Sequence, residues 1–164
     1  MAQMNFREKI LSWEALPGWR KTLREQHKRL VVTNGCFDLL HLGHVSYLEA
    51  ARNQGDALLV AVNSDASVRA IKGPNRPLNS ETDRAAVLAA LASVDAVHVF
   101  SEPDAMRLLR LVEPDIYAKG GDYTIETIHQ PERRLVEQMG GQIVVLSGVP
   151  GKSTTALLDK ISRL

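Results

Sequence analysis

Two short apolar runs on either side of a segment with helical spacing constrain the fold of this chain more than any other feature of its sequence. Residues 30–33 and 57–62 have the length and β-branched content of strands buried on both faces. Residues 42–53 carry apolar side chains at helical intervals and end before Gly55. A strand, a helix and a strand within about 35 residues predict parallel strands joined by a right-handed crossover.

The same alternation continues to the end of the chain. Further strands are predicted at residues 96–100, 115–118 and 142–146, and further helices at residues 80–91, 103–111, 131–139 and 154–164. Helices between successive apolar strands predict an α/β fold, a Rossmann-like, doubly wound five-stranded parallel sheet with helices on both faces. Ligands of such sheets bind beyond the carboxyl ends of the strands, so functional residues are expected there.

The composition limits the classes of partner. The formal net charge of +1 gives no general attraction to nucleic acids or anionic membranes. No apolar run reaches the roughly 20 residues that span a bilayer, and the first residues lack the apolar core of a signal peptide. The single cysteine, Cys36, excludes an internal disulfide and a four-cysteine zinc site. We therefore expect a cytoplasmic protein without nucleic-acid or membrane partners.

The first polar cluster, TNGCFDLLHLGH at residues 33–44, directly follows the first predicted strand. Gly35 permits close approach of the backbone to a phosphate, and Gly43 lets the chain enter a helix tightly between two imidazoles. His41 and His44 are three positions apart, so a helix that begins near His41 directs both rings to one side. Each ring can donate a hydrogen bond to a phosphoryl oxygen. An isolated pair with this spacing is more often a surface or capping pair, but the placement directly after a buried strand, with glycines on both sides, favours the phosphate function. A metal site lacks a third ligand at zinc-like spacing.

The last polar cluster is GKSTT at residues 151–155. Its Gly-Lys-Ser resembles part of a P-loop, but Leu146 stands where a P-loop requires its first glycine, and only one helix remains after it. We therefore reject a P-loop. Backbone N–H groups, hydroxyls and the helix dipole at a helix start suit phosphate oxygens, although Ser-Thr-Thr is also an ordinary helix N-cap.

These clusters carry a family resemblance. GCFDLLHLGH closely resembles the His-x-Gly-His signature of the cytidylyltransferase-like nucleotidyltransferases, and residues 153–155 match their terminal Ser-Thr-Thr motif. The resemblance implies that both histidines contact a triphosphate, and that the second substrate attacks the α-phosphorus without a covalent enzyme intermediate. Glycerol-phosphate cytidylyltransferases carry an arginine five residues before that serine. Here the position is Gly148, which argues against CTP, while Lys152 can supply the charge.

The segments VNSDASVRAIKGPNRPLNSETDRAAVLAAL and IYAKGGDY resemble the adenylyltransferases of ADP-heptose synthesis, and the likeness runs from about residue 28 to the C-terminus. It implies transfer of AMP from ATP, with Mg²⁺, to D-glycero-β-D-manno-heptose 1-phosphate, giving ADP-heptose and pyrophosphate for the lipopolysaccharide inner core. It also implies a homo-oligomer. Since no kinase domain precedes this sequence, we expect a separate heptose kinase upstream. Two alternatives stay open: a cytidylyl- or adenylyltransferase that acts on another phosphorylated acceptor, such as glycerol 3-phosphate, and a non-catalytic nucleotide-binding module.

The resemblance further implies which residues act. Those implied in catalysis are His41, His44 and Lys72, with Lys72 holding phosphates from a flexible loop beside Gly73-Pro74. Those implied in nucleotide binding are Thr33, Asn34, Gly35, Cys36, Phe37, Gly43, Arg84, Lys119, Gly120, Lys152, Ser153, Thr154 and Thr155. Those implied in binding the second substrate are Asp38 and Asp122, and the metal ligands stay unassigned.

Four of these residues keep a second interpretation. Asp122 binds either the ribose hydroxyls or the sugar acceptor. Asp38 either orients a histidine or caps a turn. Arg84 either reaches a phosphate or pairs with Glu81 on its own helix. Cys36 is interpreted as a small wall residue, because no general base is positioned by sequence to activate its thiol.

The chain length of 164 residues suits one domain. Residues 4–28 are charged and weakly amphipathic, and Pro17-Gly18 interrupts their pattern, which predicts one or two short helices packed on the outside. We therefore divide the chain into an N-terminal helical accessory segment, residues 1–28, and a nucleotidyltransferase domain, residues 29–164.

Overall fold

The fold is a single five-stranded sheet in which every neighbouring pair of strands is parallel. A computed structural model describes residues 5–164. The strand order is β3-β2-β1-β4-β5, which confirms the predicted doubly wound parallel sheet. The strands are β1 (Leu30–Gly35), β2 (Ala57–Asn63), β3 (Ala96–Phe100), β4 (Ile116–Gly121) and β5 (Gln142–Ser147).

Helices cover both faces of the sheet, as predicted. They are α1 (Ala15–Glu25), α2 (Leu42–Arg52), α3 (Asp65–Lys72), α4 (Glu81–Ala89), α5 (Met106–Val112), α6 (Gln130–Gln138) and α7 (Thr154–Ile161), after a short 3-10 helix at Phe6–Lys9. Successive residues of β1 point into different cores. Leu30 and Val32 join a cluster with residues of α1, α5 and α6, whereas Val31 joins a cluster with residues of α2 and α4. Within the described residues, no helix is long and apolar enough to cross a membrane.

Helix α3 was not predicted, and it changes the position of Lys72. The Ser64 side chain caps this helix by accepting a hydrogen bond from the Ser67 N–H at 3.2 Å. Lys72 is therefore the last residue of a helix, and its predicted place in a flexible loop is wrong. Its contact with phosphates stays a prediction. The turn begins at Gly73, whose φ of 96° suits a residue without a side chain.

The N-terminal segment contributes to the core and to one sheet edge. Helix α1 runs through Pro17 and Gly18, because a proline in the first helical turn gives up no intrahelical hydrogen bond. Leu16 of α1 is completely buried. Ile10 forms a parallel bridge with Val97 of β3, and the N–H of the next residue donates to the Val97 carbonyl at 2.8 Å. Residues 1–4 of the predicted accessory segment lie outside the described residues, and the boundary at 28/29 stays a prediction.

We predict that Leu16→Ala lowers the free energy of unfolding by about 2–5 kcal/mol, because it leaves a cavity in the core under α1. Chemical denaturation followed by circular dichroism measures this loss. Leu111→Ala is the matched control, since Leu111 is 39% exposed on α5, and it should cost less than about 1 kcal/mol. Equal losses in the two variants would contradict the integration of α1 into the core.

Candidate active site

The segment between β1 and α2 forms one wall of the candidate site. Gly35 ends β1, and a Cβ atom there would lie 2.9 Å from the ring of Phe37. Phe37 itself has a φ of 47°, an uncommon value for a residue with a side chain. The tight turn folds the Phe37 ring back over the strand end and against the imidazole of His44, with ring centroids 5.4 Å apart. The chain then enters α2 at His41, the N-cap residue.

The two histidine rings lie on the same side, as their spacing predicted, and they stack on each other. The rings of His41 and His44 lie 3.9 Å apart at an interplanar angle of 27°. A Cβ on Gly43 would lie 2.9 Å from two atoms of the His41 ring, so glycine is required for this arrangement. The Nδ1 atoms of both rings are buried, and neither makes a hydrogen bond of normal geometry to any residue from 5 to 164.

Both imidazoles are biased toward the neutral form. Burial lowers the pKa of His44 to about 4, and the charges of His41 and Lys72 act in the same direction against the weaker influence of the Leu39 carbonyl. Burial also lowers the pKa of His41, with a further contribution from the Lys152 ammonium. At neutral pH each ring therefore offers one N–H as a donor, without a full positive charge.

The C-terminal turn reaches the histidines. The Cβ atom of Lys152 would lie 3.3 Å from a Cβ on Gly43, and the Thr154 hydroxyl donates to the Leu39 carbonyl at 3.4 Å. Ser153 caps α7 through the Ala156 N–H at 3.0 Å, so its hydroxyl also serves as an ordinary N-cap. The two motifs, distant in sequence, thus converge at one end of the sheet.

The ends of β1 and β4 are joined by buried polar side chains. Asn34 Oδ1 accepts a hydrogen bond from Lys119 Nζ at 2.5 Å and lies 2.7 Å from the Tyr117 hydroxyl. That hydroxyl lies 2.8 Å from Glu132 Oε2, and Lys119 Nζ lies 3.5 Å from the same carboxylate oxygen. Burial lowers the pKa of Lys119, and Glu132 opposes this shift.

A tyrosine fills the space between α2 and β4. The ring of Tyr47 lies directly over Gly120, where a Cβ atom would overlap it. Its hydroxyl lies 2.7 Å from the Thr33 hydroxyl, and burial raises the pKa of Tyr47 to about 12. The predicted site residues Thr33 and Gly120 are thus in contact with one side chain that the sequence analysis did not select.

Asp38 holds a loop and does not orient a histidine. Its carboxylate, on a side chain that is 1% exposed, accepts hydrogen bonds from the Leu78 and Asn79 N–H groups and from Arg76 Nε at 2.7–3.0 Å. Burial alone would raise the pKa of Asp38, but these donors outweigh it and lower the pKa. Of the two interpretations, capping a turn is correct. Loop residues already donate hydrogen bonds to both carboxylate oxygens of Asp38. The contact of Asp38 with the second substrate stays a prediction.

Arg84 links three segments around the site. Its guanidinium donates to the carbonyls of Asn79, Cys36 and Asn63 and to the carboxylate of Asp65, at 2.6–3.0 Å. The predicted alternative partner, Glu81, is wrong: its carboxylate instead accepts the Asp65 N–H at 2.6 Å. With four of five N–H donors engaged, Arg84 mainly positions the loops, and its phosphate contact stays a prediction.

The remaining predicted residues lie at the same sheet edge. Lys72 and Asp122 are exposed, Asp122 directly after β4. Burial raises the pKa of the Cys36 thiol, which keeps it protonated and agrees with a wall residue. Thr155 is exposed in the first turn of α7.

The described residues contain no group of three or more His, Cys, Asp or Glu side chains that could hold a metal ion.

The family model described as Cytidylyltransferase-like matches residues 32–154, which include both motifs and the sheet edge between them. The chain belongs to this family. That finding confirms the class of nucleotidyltransferase that the His-x-Gly-His motif predicted.

This chain is similar to curated relatives named Bifunctional protein HldE. The relative from Geotalea uraniireducens is 50% identical over 153 residues, 93% of this chain and 31% of the relative. The relative from Methylobacillus flagellatus is 46% identical over 155 residues, 94% of this chain and 31% of the relative. The relative from Pseudomonas fluorescens is 51% identical over 140 residues, 85% of this chain and 29% of the relative. The chain thus spans about a third of the length of these relatives.

Solved structures agree with the fold. A lipopolysaccharide core biosynthesis protein from Thermoplasma volcanium is 29% identical with a TM-score of 0.62, and the match covers 74% of this chain and 97% of that protein. A pantoate-beta-alanine ligase from Francisella tularensis matches with a TM-score of 0.61 over 94% of this chain and 78% of that protein. At 16% identity, the second match supports the fold alone.

We predict that the imidazole of His44 titrates near pH 4 in the folded protein. Since the unfolded ring titrates near 6.5, the unfolded chain binds the proton more readily between these values. The stabilising contribution of the neutral ring is therefore complete above about pH 6.5 and is lost as pH falls toward 4. NMR titration of the ring carbons, with the signal assigned by its absence in His44→Asn, measures this value. A midpoint near 6.5 would contradict the burial of the ring.

Proposed function

We propose that this protein is an adenylyltransferase that transfers AMP from MgATP to D-glycero-β-D-manno-heptose 1-phosphate, releasing pyrophosphate and forming ADP-heptose. The observation that carries the proposal is the convergence of the His41–His44 pair with the turn of Lys152 and Thr154 at one end of a parallel sheet. Ligands of this architecture bind at that end.

The geometry supports in-line displacement at the α-phosphorus. A sugar 1-phosphate is already an anion, so its attack needs no strong general base. The main requirement is to align the two phosphates and to stabilise the charge that develops on the triphosphate. Neutral imidazoles suit this task, because each donates an N–H and neither has to lose a proton.

Three lysines supply positive charge around the proposed triphosphate. Lys72 is the last residue of α3, Lys119 lies near the end of β4, and Lys152 precedes α7. The N-terminus of α7 adds its N–H groups and dipole. Mg²⁺ would come with ATP as part of the substrate and would supply further charge neutralisation on the phosphates.

The choice of acceptor rests on the resemblance to adenylyltransferases of ADP-heptose synthesis. The curated relatives named Bifunctional protein HldE and the Thermoplasma volcanium protein, named for lipopolysaccharide core biosynthesis, support it. The chain spans about a third of the length of those relatives, and we propose for it the transfer of AMP alone. The homo-oligomer and the separate heptose kinase stay predictions.

Mass spectrometry of the reaction products tests the substrates directly. The protein is mixed with Mg²⁺, ATP or CTP, and a panel of hexose and heptose 1-phosphates together with glycerol 3-phosphate. We expect a mass of ADP-heptose from ATP and the heptose 1-phosphate, with stoichiometric pyrophosphate. A product from glycerol 3-phosphate or from CTP alone would overturn the proposed substrates, and nucleotide binding without any product would overturn the enzymatic function.

We predict that His41→Ala and His44→Ala each reduce kcat by about 10²- to 10³-fold, because each removes a donor to the transition state. Pyrophosphate release measures the rate, and circular dichroism checks that the fold is kept. His27→Asn is the control: His27 is exposed beyond α1, and its φ of 55° is one that asparagine tolerates. Near-native turnover in a folded His44 variant would remove that residue from the mechanism.

A further inference from the structure

Glu132 is a buried carboxylate to which the sequence analysis gave no function. It lies in the first turn of α6 and is 3% exposed. Its Oε1 accepts the Ala105 N–H at 2.8 Å, and its Oε2 lies 2.8 Å from the Tyr117 hydroxyl and 3.5 Å from Lys119 Nζ. Its Oε1 also lies 3.7 Å from His129 Nδ1, so this oxygen faces the starts of α5 and α6. Its Oε2 faces two side chains of β4, one of which is the predicted site residue Lys119.

A gain in stability does not explain well why Glu132 and Lys119 are buried side by side. Removing a carboxylate and an ammonium from water is costly, and a buried ion pair is often no more stabilising than an apolar pair of similar volume. The contact with Glu132 instead helps to fix the position of the Lys119 ammonium. The Glu132 carboxylate approaches the Lys119 ammonium from α6, and the Asn34 side-chain oxygen approaches it from β1. The ammonium is therefore held between these two oxygens.

We propose that Glu132 is a positioning residue that, together with Asn34, holds the Lys119 ammonium in place to bind the nucleotide phosphates. This inference rests on the proposed function, because it assigns Lys119 to the phosphates. Glu132 does not itself touch the nucleotide. Its effect passes through the ammonium, whose position and charge decide how strongly the triphosphate is bound.

The charge of Lys119 depends on few neighbours. The titratable groups that face it are Glu132 from α6, Tyr117 from its own strand, and Tyr123 from the loop after β4, with the Tyr123 ring centroid 6.0 Å from Nζ. Tyr47 of α2 lies on the far side of Gly120. Glu132 is the one acid whose charge favours the ammonium against burial. Its removal therefore lowers the pH at which Lys119 loses its proton.

The test compares Glu132→Gln with the wild type and with Glu137→Gln. The glutamine keeps the shape and an acceptor for the Ala105 N–H but removes the charge, whereas Glu137 is an exposed acid on the same helix that pairs with Arg133. We expect kcat/KM for ATP to fall about tenfold or more in Glu132→Gln, as for other positioning partners. The alkaline limb of its pH profile should move about one unit or more toward lower pH, while Glu137→Gln retains the wild-type profile.

Calorimetric binding of ATP between pH 7 and 10, without acceptor, separates this inference from the choice of acceptor. A wild type that binds ATP but forms no ADP-heptose refutes the proposed function alone. An unchanged pH dependence of ATP binding in Glu132→Gln refutes the role of Glu132. If Glu132→Gln does not fold, Glu132→Asp carries the test, since it keeps a carboxylate but withdraws it from Lys119, and a smaller shift in the same direction is expected.

A double-mutant cycle with Lys119→Met tests whether Glu132 acts through the ammonium. If it does, Glu132→Gln should cause little further loss of ATP affinity once Lys119 is methionine. Equal losses in both backgrounds would show that Glu132 acts on the fold and not through Lys119, and would overturn the inference.

Discussion

The candidate site depends on the parallel pairing of β1 with a neighbour on each side. Gly35 at the end of β1 pairs in register with Val62 of β2, while Val32 pairs with Tyr117 of β4. Because all strands run in one direction, everything that follows a strand emerges at one edge. The histidines after β1, the lysine of β4 and the turn after β5 meet there, although more than 100 residues separate the first from the last.

Three glycines set the shape of this edge of the sheet. Gly35, Gly43 and Gly120 each lie against an aromatic ring that a Cβ atom would displace. The rings belong to Phe37, His41 and Tyr47: the first two both contact the ring of His44, and the third lies against β4. The glycines therefore act by close approach, and two of the three rings belong to residues the sequence analysis had selected.

The sequence predicted the strands and the strand-end location of the site well, because buried parallel strands form continuous apolar runs. It missed α3, since Ser64 and Asp65 form a capping start in a stretch interpreted as a polar loop. It also missed Tyr47, Tyr117 and Glu132. Tyr47 lies one helical turn after His44, a spacing that could have identified it. Glu132 had no such signal, because its partners come from β4 and the start of α5.

The bridge between Ile10 and Val97 leaves the two edges of the sheet unlike each other. At β3 the N-terminal chain makes one bridge and one hydrogen bond on the outer side of the strand, whereas none of the strands described here pairs with the outer side of β5. An open strand edge can pair with another chain, so residues 10 and 11 shield part of β3 from self-association, while Leu16 and Leu23 of the following helix fill the core.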